Sequence, residues 1–144
     1  MASDMIPDSS LRWPVLLSLA IVTIILRASL FYLVTEQNSW EQIYAQSTDV
    51  ENYVQSAKTI VDSGDFDTKG INIFGPGYPT FLALIMFLSD WQPLPFIAQI
   101  LLSALTTLCI GIFVTRLINR RAGIIAAGLH ALSVTSISLS VFLL

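Results

Sequence analysis

The chain is short of the residues that soluble domains place at their surfaces. Only 12% of its 144 residues are charged, about half the share of a typical soluble domain. That shortage excludes a disordered chain, a basic nucleic-acid-binding domain and an ordinary soluble enzyme. A single cysteine, Cys109, excludes an internal disulfide and any cysteine-based metal cluster. His130 is the one histidine and has no acid or cysteine at ligand spacing. A phosphate-binding loop, a Gly-x-Gly-x-x-Gly turn, a His-Glu-x-x-His helix and a Gly-x-Ser-x-Gly elbow are all lacking. What is present is apolar: 54% of the residues are hydrophobic. An all-α integral membrane protein is expected.

Three apolar runs of 22 or 23 residues set the topology: 13–34 with one charge, Arg27, and 94–115 and 122–144 with none. About 20 residues of helix cross the hydrocarbon, and only a helix does so without stranding backbone polar groups in lipid. A fourth patch, 78–89, has 12 residues and would cover roughly 18 Å of a ~30 Å core. It is expected to lie at the interface.

The charges are sorted along the chain. Seven of the ten acids fall between Glu36 and Asp67, and to Gly70 the stretch carries a net charge of −5. Arg12 precedes the first run, and Arg116, Arg120 and Arg121 separate the second from the third. Three crossings put these arginines on one side and the acidic loop on the other, as the positive-inside rule requires. The expected order is a cytoplasmic tail 1–12, a crossing 13–34, an outer loop 35–93, a crossing 94–115, a cytoplasmic turn 116–121 and a crossing 122–144. The first crossing is read as a retained signal anchor, because it is too long for a signal peptide and lacks a cleavage site. The apolar ending Ser140–Leu144, without an anchor residue, suggests the front piece of a longer protein.

Within the outer loop, Val50, Tyr53, Val54, Ala57, Ile60 and Val61 follow helical spacing, so 48–63 is expected as an amphipathic helix. Thr48 and Glu51 form a capping-box pair at its start, and Gly64 supplies its stop. Phe74-Gly75-Pro76-Gly77-Tyr78-Pro79 forbids a helix running through this point and predicts a rigid elbow feeding 78–89, with Pro79 in the first turn of that helix.

Several residues carry possible chemistry, each with a plainer reading beside it. Asp49 and Glu51 could serve as a general base or help to hold a divalent cation; acids in a first turn also simply favour the helix dipole. Arg27, inside an apolar run, suits pairing with a phosphate or a carboxylate; it can also snorkel to the headgroups. Lys69 can touch an anionic headgroup or remain a solvated loop charge. His130 suits a helix–helix hydrogen bond.

The ordered set of motifs resembles a known family. It comprises Asp49-x-x-x-Tyr53, then Ala57-x-x-Ile60-Val61-x-x-Gly64-Asp65-Phe66, then Gly75-Pro76-Gly77-Tyr78-Pro79 and a short Leu/Phe-rich helix. Ala98-Gln99-x-Leu101-Leu102-Ser103-Ala104-Leu105, the Arg116–Gly123 turn and Ala126-Ala127-Gly128-Leu129-x-Ala131-Leu132-Ser133 follow. Over residues 11–144 this looks like the N-terminal third of the GT-C superfamily of membrane glycosyltransferases, in the branch of protein O-mannosyltransferases and aminoarabinose transferases. The resemblance implies a polyprenyl-phosphate sugar donor, a bacterial-type inner (plasma) membrane and chemistry on its outer face. It places the family's functional acid at Asp49. The basic residue many members carry before the elbow is replaced here by Ile73-Phe74, with Arg27 or Lys69 as substitutes for binding the donor phosphate. Glu51, Tyr53 and Tyr78 complete the candidate substrate-binding set. The alternatives are a non-enzymatic membrane subunit that docks a partner through its acidic loop, and a transporter fragment with Arg27 on the ion path.

Overall fold

The computed structural model describes residues 13–44, 48–68, 71, 73, 75–89 and 91–141. Seven helices are described: α1 Trp13–Gln37, α2 Trp40–Tyr44, α3 Thr48–Ser63, α4 Gly77–Leu88, α5 Leu94–Leu117, α6 Arg120–Leu132 and α7 Val134–Val141. No strand occurs among the described residues. Two helices, α1 and α5, are long and apolar enough to cross a membrane. The described residues divide into two compact units, residues 13–30 with 99–141, and residues 31–98.

The first unit is a close-packed bundle built on small residues. Ala20, Ala104, Ala127 and Ala131 are all buried, which lets helix backbones approach each other. A Cβ placed on Gly111 of α5 would lie 2.6 Å from Leu16 of α1 and 3.3 Å from Ala127 of α6. A Cβ on Gly123 of α6 would run into the Thr115 side chain and lie 2.6 Å from the Gly111 carbonyl oxygen. The α5–α6 turn is set by Asn119, whose side chain accepts from the Ala122 amide at 2.9 Å as an N-cap.

The single helix expected over 122–144 is corrected by the structure to two helices, α6 and α7, broken at Ser133. Ser133 has extended backbone. Its hydroxyl accepts from the Ser136 amide at 3.3 Å, so it starts α7 as it ends α6. Hydroxyl side chains offer the backbone this alternative to helix continuation, and the segment Ser133–Ser136 is rich in them. At 1.5 Å per residue α6 alone is roughly 20 Å long. The other long helices extend past the expected ends, to Gln37 and Leu117.

The second unit is organised by α3 lying on α4. Val50 and Ala57 on α3 face Leu82 and Ala83 on α4 in one core with Ile43 and Phe96. Gly64 stops α3 at φ +70°, with its amide on the Ile60 carbonyl at 3.0 Å, the left-handed cap that glycine adopts without strain. The Thr48 side chain, and with it the capping box, lies outside the described residues. Pro79 is buried in the first turn of α4. The short α2 has a reciprocal cap: the Ser39 amide donates to Gln42 Oε1 at 2.9 Å and the Gln42 amide to Ser39 Oγ at 3.3 Å.

The two α6 glycines separate packing from propensity. Gly123→Ala should destabilise the protein by about 1–3 kcal/mol through overpacking. Gly128→Ala, with open space around its Cβ position, should be neutral or stabilising by about 1 kcal/mol. Chemical unfolding of the two variants in detergent checks the contrast.

Candidate functional site

The second unit holds a cavity of about 570 Å³. Its walls come from α2, from the exposed side of α3, from the end of α4 and from the segment entering α5. Trp40 and Tyr44 line it from α2 and Trp91 from the α4–α5 connection. Glu41, Lys58 and Asp62 supply its charges.

The aromatic wall continues an aromatic cluster in the core. Phe96 sits 5.2 Å from Phe31, 6.0 Å from Trp40 and 6.2 Å from Tyr44, centroid to centroid, all tilted. Such pairs fix ring orientation beyond simple burial. The Tyr44 hydroxyl donates to the Gln92 carbonyl at 3.0 Å, tying α2 to the start of α5 across 48 residues of sequence. Burial pushes the Tyr44 phenol above its ordinary value, so the ring remains a donor well into alkaline solution. A second cavity of about 470 Å³ opens beside the first and shares Glu41, Tyr44, Val54 and Lys58 with it.

The expected site residues fall in different places. Asp49 is exposed in the first turn of α3 and lines neither cavity. Glu51 is exposed and lines the second cavity. Tyr53 and Tyr78 are half-buried and meet edge to face at 5.1 Å, with Tyr78 also stacked on Phe81 at 6.0 Å. They form part of the α3–α4 contact. Lys69 lies outside the described residues. Among the described residues, no three His, Cys, Asp or Glu side chains stand together as a group that could hold a metal ion.

Arg27 belongs to the first unit and is completely buried. Its Nη1 donates to the Thr23 carbonyl one turn earlier and to the Ala131 carbonyl of α6, both at 3.4 Å. The side chain therefore bends back towards the helix N-terminus and does not reach for the far end of α1. Among the described residues, Nε and Nη2, the opposite edge of the fork, have no hydrogen-bond partner. Close by, the Thr23 and Thr107 hydroxyls share a hydrogen bond at 3.0 Å, and Thr107 shares another with His130 Nδ1 at 3.0 Å. His130 thus makes the helix–helix hydrogen bond that its position in an apolar run suggests.

Sequence reasoning missed the cavity. In the sequence Glu41 and Lys58 look like solvated helix charges, and the one signal for α2 is the capping-box signature Ser39-Trp40-Glu41-Gln42. No family model, curated protein or solved structure matches this chain.

Tyr44→Phe should cost about 0.5–1 kcal/mol through loss of the hydrogen bond to the Gln92 carbonyl. The folded state favours the protonated phenol, so stability linked to Tyr44 is intact below the ordinary tyrosine value and declines as pH rises through the raised one. Denaturation midpoints at neutral pH and above pH ~10 should show the variant losing part of this alkaline decline.

Proposed function

We propose that this chain is the N-terminal, membrane-embedded part of a GT-C type glycosyltransferase. It moves a sugar from a polyprenyl-phosphate donor to a lipid, glycan or protein acceptor on the outer face of a bacterial-type inner membrane. The reading rests on the ordered motif set, and the observation that carries it is Asp49, solvent-exposed in the first turn of a helix that follows a long apolar one.

In this reading the N-terminus is cytoplasmic, and α1 and α5 are the first two crossings. The broken pair α6–α7 makes the third, roughly 33 Å long if collinear. Non-helical backbone at membrane depth is tolerated where protein buries it, and Ser133 is half-buried. The arginine-rich α5–α6 turn then faces the cytoplasm and the acidic loop faces outward.

Asp49 acts as the general base. Its carboxylate takes the proton of an acceptor hydroxyl or amine as that atom bonds to the anomeric carbon. The bond from that carbon to the phosphate oxygen breaks, and its electron pair leaves with the polyprenyl phosphate. Lys69 is the cation proposed for the donor phosphate. Arg27, the other cation of the motif set, is completely buried in the first unit with Nη1 on the Thr23 and Ala131 carbonyls. Glu51, Tyr53 and Tyr78 complete the substrate-binding set proposed for the loop.

Asp49→Asn in the full-length protein should lower transfer from a radiolabelled polyprenyl-phosphate sugar by about 10²–10⁴-fold at unchanged expression, the usual contribution of a general base. Transfer at the unaltered rate would remove Asp49 from the mechanism.

A further inference from the structure

The cavity beneath Trp91 has a chemistry that the transfer reaction does not use. Its walls combine three aromatic rings, Trp40, Tyr44 and Trp91, with two carboxylates, Glu41 and Asp62, and one ammonium, Lys58. All three charged side chains are exposed and none takes part in a described ion pair or side-chain hydrogen bond. Like an aromatic cage, such a wall attracts a cation through ring faces and carboxylates together. Lys58 adds a single place for an anion. The net charge of the lining is −1, which disfavours a ligand that is itself an anion.

The cavity also has a definite place along the chain. Trp40 lies three residues beyond the end of α1, and Pro95 is the second residue of α5. These are the two helices long and apolar enough to cross a membrane, and the cavity forms where one ends and the other begins. Given the crossings proposed above, that is the depth of the phospholipid headgroups, where exposed tryptophans such as Trp91 concentrate.

We propose that this cavity is a binding site for the headgroup of a zwitterionic phospholipid. The ammonium sits between Glu41 and Asp62 against the rings of Trp40, Tyr44 and Trp91. The phosphate meets Lys58. Val54, Val61 and Met86 supply the apolar remainder of the wall, and the volume lies in the range of small-molecule sites. The proposal rests on the membrane reading of α1 and α5 and is independent of glycosyl transfer. It assigns the site to a structural lipid, whereas the anionic donor would be repelled by the carboxylate pair.

The test is native mass spectrometry of the full chain in detergent, titrated separately with dioleoyl phosphatidylethanolamine, phosphatidylcholine and phosphatidylglycerol. Quenching or enhancement of tryptophan fluorescence is followed in parallel. Phosphatidylethanolamine or phosphatidylcholine should bind about tenfold more tightly than phosphatidylglycerol, and the stronger of the two identifies the ammonium. Replacing both carboxylates (Glu41→Gln with Asp62→Asn) should abolish this preference, and Lys58→Met should weaken all three lipids. The carboxylates are exposed, so the variants should keep wild-type helicity by circular dichroism. Equal or tighter binding of phosphatidylglycerol overturns the proposal, as does a preference that survives loss of both carboxylates.

Discussion

The packing of α3 on α4 is the contact on which the loop unit depends. Residues 38–93 contain two prolines and two glycines in one short elbow and most of the acids of the chain. Left unsupported, such a segment would have little reason to order. Val50 and Ala57 bury one face of α3 against Leu82 and Ala83, and Phe96 brings the start of α5 into the same core. That burial fixes the exposed face of α3 as well, because the two faces of a helix are set by one rotation. Asp49, Glu51, Lys58 and Asp62 are exposed because Val50 and Ala57 are buried on the opposite face. The cavity follows from the same packing: Tyr44 reaches Gln92, and α2 is held against α3 as a side wall.

The first unit answers a different constraint. Its described residues include Arg27, Arg116, Arg120 and Arg121 but no acid, so the buried guanidinium of Arg27 has only carbonyls to meet. One of them, Ala131 O, lies in the last turn of α6, where helix carbonyls lack their usual amide partners. The break at Ser133 and the buried arginine therefore suit each other: a cation is favourable at a helix C-terminus. Hydrogen bonds link the neighbouring Thr23, Thr107 and His130 side chains within an otherwise apolar bundle. A half-satisfied arginine in such surroundings is costly, which singles out its free edge.

Much of this was legible in the sequence, and the reasons are specific. The apolar stripe from Val50 to Val61, closed by Gly64, marks α3 because periodicity and a stop coincide. The long apolar runs mark α1 and α5 because length in apolar residues is enough. The break at Ser133 was not legible, since no proline or glycine sits there and a serine in an apolar run is normally absorbed by the helix. The burial of Arg27 was not legible either: its depth along α1 can be counted, but the direction of its side chain depends on the Ala131 carbonyl, 104 residues away. The cavity depends on Tyr44 meeting Gln92 and on the rotation of α3, and both are tertiary. Asp49 stands out in the sequence, yet its exposure at the start of α3 says where a carboxylate is and leaves what it touches to chemistry.

The crossings proposed for this chain put its acidic loop and its arginine-rich turn on opposite sides of a membrane. Single cysteines introduced at Asp65 and at Arg121, in a Cys109→Ser background, can be labelled with a membrane-impermeant maleimide in intact cells and after lysis. The account predicts labelling at position 65 in intact cells and at position 121 only after lysis. Labelling of both positions in intact cells, or of position 121 alone, would contradict it.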